Sequence, residues 1–315
     1  KCTKEHRPIP NNWKRQVDSM SQLIELCESL QGNWIFRGQG CVDWQLTPGI
    51  ERLDALPALD TVDVSLPLRE RASLEEFRDR ALRYNTELPA EYDQFGWLDL
   101  FQHHGGITRL LDFSESLQVG LFFAIDPFQN GVRVKEGSRV ALWAINLQAI
   151  VDAIPTGERL PRFGSNVSTN DRAAFATLFN HWFEIESQEN PYNGFAGVAQ
   201  AGLAQVGRSF QPPPEGIIPL WPASPHERSK AQEALFLAQM GSDRHFFQTL
   251  VEHFGHRPAE EAVMQIEIKL TTETYLEMRR HLNSKDIVPA RLFPGLDGDA
   301  RTANNAFDLG RRDLG

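Results

Sequence analysis

The chain is poor in cysteine. Its 315 residues contain three, Cys2, Cys27 and Cys41. An odd, scattered set excludes a disulfide scaffold and a cysteine zinc ribbon, and it suits a reducing compartment. Long apolar runs are also lacking. The longest, Val119 to Ile125, falls far short of the roughly 18 residues of a membrane-spanning helix. No signal peptide is visible, and Lys1 at the start points to a trimmed beginning. The expectation is a cytoplasmic protein with no membrane partner. Basic charge is in deficit: 32 Lys and Arg stand against 42 Asp and Glu, a formal charge of -10. That balance excludes a uniformly basic nucleic-acid binder and leaves room for a local basic groove.

Generic site motifs are missing as well. Gly38-Gln39-Gly40 opens a Gly-x-Gly, but Asp43 stands where a dinucleotide fingerprint needs its third glycine, and no P-loop lysine follows any glycine-rich stretch. His245, His253 and His256 have no carboxylate or cysteine at ligand spacing. Asp297-Gly298-Asp299 is a fragment of a calcium loop and reads as a surface turn. No metal is expected. Trp34, Trp44, Trp97, Trp143, Trp182 and Trp221 read as core residues rather than base-stacking platforms.

What is present describes a globular chain, 41% hydrophobic and 23% charged. Apolar spacing predicts a helix from Trp13 to Leu30, ended by Gly32-Asn33, then a short strand Trp34 to Phe36. Ser73 with Glu76 three residues on reads as a capping box that starts a helix. Further helices are expected around Trp97 to His104, Val119 to Ile125, Ala173 to Phe183, Phe246 to Phe254 and Thr272 to Leu282. Strands are expected at Ser138 to Ile145, around Arg228 to Met240, and at Val263 to Leu270, where alternation is clean. The tail reads as irregular. Residues 152–221, punctuated by Gly194, Gly197, Gly202, Gly207 and Pro212 to Pro214, read as an insertion. With no internal repeat and no clean linker, residues 1–315 read as one elaborated domain.

Three clusters carry chemistry. The first is Phe36-Arg37-Gly38-Gln39, an arginine and a glycine at a strand end. It suits close approach of an anion, or else a structural salt bridge. The second runs from Gln102 and His103 through Thr108, Arg109 and Asp112 to Ser114. Polar groups this close to buried segments must pair with each other or with a ligand; an Arg109–Asp112 pair and a backbone-bonded His103 are the plain alternatives. The third is Arg228 to Phe236, where Gln232 and Glu233 enter an apolar strand. Strand alternation places Glu233 opposite Gln232, solvated unless a bulge turns it inward.

These clusters, in this order, resemble the FRG domain family. Phe36-Arg37-Gly38-Gln39 is followed by Trp44, Leu46, Pro48 and Arg52. Gln102-His103-x-Gly105-x-x-Thr108-Arg109-Leu110-Leu111-Asp112 leads to Phe123-Ala124, and Arg228, Gln232 and Phe236 match a later motif in which Ala234 replaces the usual glycine. Leu292 to Gly298 fits the family's ending. A weaker resemblance is to the ADP-ribosyltransferase fold. It implies an α+β fold with a mixed sheet core of that type, surrounded by helices. It also implies an NAD-using enzyme that modifies a macromolecular acceptor, protein or nucleic acid, as a bacterial or phage toxin or defence effector, with a partner or antitoxin protein. Under it, Arg37, Gly38, Gln39, Thr108, Arg109 and Ser114 bind NAD, and Gln232, Glu233 and His103 are catalytic. Ala234 stands where that fold carries its acid. A non-catalytic nucleotide-binding module, and a nucleic-acid-processing enzyme using His103 and His104, are the alternatives.

Overall fold

The computed structural model describes residues 8–53, 66–84, 87–129, 137–154, 160, 163, 167–188, 216–222, 226–241 and 245–309. Seven strands form one mixed sheet: β1 (Lys14–Val17), β2 (Trp34–Gln39), β3 (Leu110–Ser114), β4 (Ser138–Asn146), β5 (Gly216–Leu220), β6 (Ala234–Met240) and β7 (Val263–Leu270). Their order is β1-β7-β4-β2-β3-β6-β5, with β1 parallel to β7 and every other pairing antiparallel. The fold is α+β. Around the sheet lie α1 (Met20–Glu28), α2 (Gly49–Leu53), α3 (Leu66–Ala81), α4 (Gln94–His103), α5 (Leu117–Gln129), α6 (Leu147–Asp152), α7 (Thr169–Gln188), α8 (Glu227–Ala231), α9 (Phe246–Phe254), α10 (Thr272–Ser284), α11 (Pro289–Leu292) and α12 (Leu296–Leu309). Among the described residues, no helix is long and apolar enough to cross a membrane.

Alternation along the strands builds two cores. Trp34, Phe36, Val140, Leu142, Met264 and Ile266 point to the face covered by α5 and α10. Ile35, Ala141, Trp143 and Ile145 point the other way, as the period of two requires. Helix α5 lies unusually close to β2. A Cβ on Gly38 would sit 2.1 Å from the Gly120 carbonyl oxygen and 2.2 Å from the Ala124 nitrogen. Gly38 therefore serves backbone-to-backbone packing of β2 on α5.

One joint in the sheet is weak. Strands β2 and β4 pair along all of β2, from Trp34↔Asn146 to Gln39↔Ala141. Strands β2 and β3 share the single pair Phe36↔Ser114. Beyond it they part, leaving β1-β7-β4-β2 on one side of a seam and β3-β6-β5 on the other.

Several expectations need correction. Trp13 sits in a 3-10 turn and Val17 in β1, so the first helix starts at Met20, where the Ser19 hydroxyl accepts from the Gln22 amide. Ser73 lies inside α3, which begins at Leu66, and Glu76 bonds Arg80 one turn on. Arg228 belongs to helix α8, and the strand begins only at Ala234. The tail is helical in α11 and α12. The expected glycine- and proline-rich stretch from Gly194 to Pro214 lies outside the described residues.

Gly38→Ala is expected to cost about 3 kcal/mol or more, beyond ordinary overpacking, because backbone is struck rather than a movable side chain. Denaturant melts check this; an unchanged midpoint would refute the α5–β2 contact.

Candidate functional site

The seam is lined by the first two clusters. Helix α4 ends in a glycine stop: Gly105 takes φ 87°, its amide bonds the Gln102 carbonyl at 3.0 Å, and the Gly106 amide bonds the Phe101 carbonyl at 2.8 Å. This left-handed turn suits glycine and brings the chain back past the helix end. Thr108 then donates its hydroxyl to the Gln102 side-chain oxygen. The Gln102 amide donates to Asp112 Oδ1 at 2.8 Å. From across the seam, Arg37 Nη1 donates to the Asp112 carbonyl at 2.6 Å and lies 3.5 Å from Asp112 Oδ2. Thr108, Gln102, Asp112 and Arg37 thus form one polar chain. Asp112 keeps 61% of its side-chain surface exposed, while Arg37 keeps 20%.

Where backbone pairing ends, a cleft of about 720 Å³ opens at the end of β2. Arg37, Gly38 and Gln39 form one wall and Phe123 and Pro127 of α5 another. The loop from Asp43 to Thr47 and the α2 residues Glu51 and Arg52 complete it. Burial depresses the Arg37 pKa; Asp112 opposes the fall and Arg52 adds to it, so the two guanidiniums feel each other. Arg37 Nε is buried with no hydrogen-bond partner among the described residues. Trp44 is 56% exposed at this cleft. It is not the core residue expected; the other five named tryptophans are buried. Gln39 is committed to structure: its amide donates to the Gln45 carbonyl and its oxygen accepts from Trp143 Nε1.

The remaining expected residues do not line the cleft. Arg109 is buried in an ion triad, with Glu70 and Glu186 each at 2.6 Å. Burial works against its charge, but Glu186 and Glu70 outweigh burial and raise its pKa. It holds α3 and α7 to β3 and is free to meet neither a cofactor nor Asp112. The Ser114 hydroxyl donates to the Gln232 carbonyl at 2.7 Å and accepts from the Ser116 amide, pinning β3 to the start of β6. The Gln232 side chain donates to the Leu292 carbonyl at 2.9 Å. Glu233 is exposed in a turn with φ 46°, ahead of the strand rather than in it.

His103 ends α4 and stacks on His226, ring centroids 3.8 Å apart, with His104 at 5.1 Å. His226 caps α8, its Nδ1 accepting from the Ser229 amide. Partial burial, then His226, His104 and Arg228, push the His103 pKa down to about 4. Among the described residues, no group of three or more His, Cys, Asp or Glu is placed to hold a metal.

The geometry joins a Phe-Arg-Gly strand to a Gln-His-x-Gly-x-x-Thr-Arg-Leu-Leu-Asp helix–turn–strand segment across one seam. Residues 32–130 match the family model of the FRG domain. Within those residues the chain is similar to the FRG domain. That span holds β2, α2, α3, α4, β3 and α5, hence the whole polar chain and every residue lining the cleft. Arg228, Gln232, Phe236 and the Leu292 to Gly298 stretch lie outside it. No curated protein and no solved structure matches the chain. Sequence reasoning underrated three residues of this domain. Trp44 and Asp112 were read as structural, and Gln102, the link between Thr108 and Asp112, was given no role.

Two measurements test this site. Arg109→Ala strands two buried carboxylates, and a loss of about 3–5 kcal/mol in denaturant melts is expected. The second concerns pH. The folded-state pKa of His103 lies near 4, below its ordinary value of 6.5. The unfolded chain therefore takes up a proton that the folded one refuses as pH falls between those values. Stability is full above the ordinary value and drains away toward pH 4. In His103→Phe the acid limb should flatten; an unaltered limb would show that the stacked pair does not govern it.

Proposed function

We propose that the FRG-domain cleft binds a nucleotide, with NAD the expected ligand. The observation that carries this reading is two arginines, Arg37 and Arg52, sharing one cleft with the exposed ring of Trp44. Guanidiniums offer planar forks of donors that suit a diphosphate. An exposed indole face offers a base a stacking surface regardless of the chain's overall acidity. The cleft volume lies in the range of small-molecule sites. NAD in particular rests on the resemblance of Phe36-Arg37-Gly38 to the NAD-gripping strand of ADP-ribosyltransferases.

ADP-ribosyl transfer to a macromolecule is the second reading, and one observation favours it. Asp112 pairs with Phe236 and Ser114 with Ala234. Asp112 is thus the diagonal neighbour of Ala234 on the same face of the sheet. A carboxylate absent from β6 is present one strand away, oriented by Gln102 and beside Arg37. In such chemistry the nicotinamide leaves with the electrons of the glycosidic bond. A carboxylate steadies the ribose oxocarbenium until the acceptor's nucleophile attacks. Gln232 and Glu233 are poor candidates for that role, since one is bonded to Leu292 and the other sits in an exposed turn.

Calorimetry with NAD tests the first reading. Arg52→Ala and Trp44→Ala, both at exposed positions, should each weaken binding about tenfold, the worth of one charge-assisted bond or one stacked base. An absence of heat with the parent protein would remove both readings. Release of nicotinamide, lost in Asp112→Asn while NAD still binds, would carry the second; binding without release would leave the first alone.

A further inference from the structure

A second recess lies on the other side of α2. It has a volume of about 340 Å³ and sits between α3, the glycine stop of α4 and α2. Its apolar wall is Ile50, Phe101 and Ile107, the last 43% exposed. Its polar lining is Arg69, Ser73 and His104. Arg69 and Ser73 are one helical turn apart on α3, so they share a face. None of these three side chains makes a hydrogen bond or ion pair with a described residue, whereas Arg71, Arg78 and Arg80 of the same helix all do. Glu70 forms part of the floor, but both of its oxygens are taken by Arg109.

An uncommitted guanidinium, a hydroxyl and an imidazole therefore converge over an apolar base. We propose that this recess binds a small organic oxyanion, a carboxylate or phosphate carried on an apolar body. Arg69 would meet the oxyanion in its fork, Ser73 and His104 would supply further bonds, and Ile50, Phe101 and Ile107 would cover the body. The site is separate from the nucleotide cleft. Ile50 faces the recess, while the next two residues of α2, Glu51 and Arg52, face the cleft.

Benzoate and phenyl phosphate serve as probes, with benzamide as the neutral shape match, titrated into the full chain and followed by calorimetry and ligand-observed NMR. At least one of the two anions is expected to bind, more tightly than benzamide, and which of them wins distinguishes carboxylate from phosphate. Arg69→Gln should weaken that binding about tenfold, and Ser73→Ala by less. Both positions are exposed, and a melting curve for each variant confirms folding. The proposal is overturned if neither anion binds at millimolar concentration or if benzamide binds equally well. It is also overturned if Arg52→Ala rather than Arg69→Gln abolishes binding, since that would place the anion in the cleft. None of these outcomes depends on NAD.

Discussion

The structure turns on the seam between β2 and β3, held in backbone terms by one residue pair, Phe36 and Ser114. Sheets are cohesive because each strand satisfies its neighbour's amides and carbonyls. Where that stops, side chains must take over. Arg37 does so by donating to the Asp112 carbonyl, and Gln102 and Thr108 hold the aspartate and the turn before it in place. The same parting of strands opens the cleft. A polar residue needed to close the joint is thereby also delivered to a solvent-facing recess.

The turn and strand that supply Asp112 are anchored from below. Arg109, the residue between Thr108 and the strand, reaches Glu70 and Glu186 in a buried triad. Removing such charges from water is costly, and their geometry must be good to offset it. The short contacts and the additional bond from the Arg109 amide to Glu70 meet that condition. The triad ties α3 and α7 to β3 and gives the seam one rigid wall. Helix α5, pressed against Gly38, gives it the other.

How much of this was legible follows from the range of each interaction. The alternation of β7 and the compact apolar face of α9 are local signals, and both elements were readable. Val17 fits a helical and a strand spacing equally, so β1 was absorbed into the helix that follows it. Ser73 and Glu76 have the spacing of a capping box, but in a helix rich in charge that spacing recurs inside the element. At the site, the motif around Gln102 to Asp112 was visible as a cluster because its members are close in sequence. The partners of Arg109 were not, since Glu70 and Glu186 lie 39 and 77 residues away. Trp44 was misplaced for a different reason. Average burial of tryptophan and overall acidity both describe the chain as a whole, and neither describes one loop beside two arginines.

Helix α2 shows how few residues organise the region. It has five residues and is fixed at both ends of its influence: the Ile50 amide bonds the Thr108 carbonyl, and Glu51 accepts the amide of Phe246 at the start of α9. Between these ties, Ile50 covers one recess and Arg52 faces the other. Thr108 is also the residue that holds Gln102, and through it Asp112 and the seam. The bond from Ile50 to Thr108 therefore links the helix between the recesses to the polar chain that closes the sheet, so that each recess shares a wall or a tether with the joint on which the fold depends.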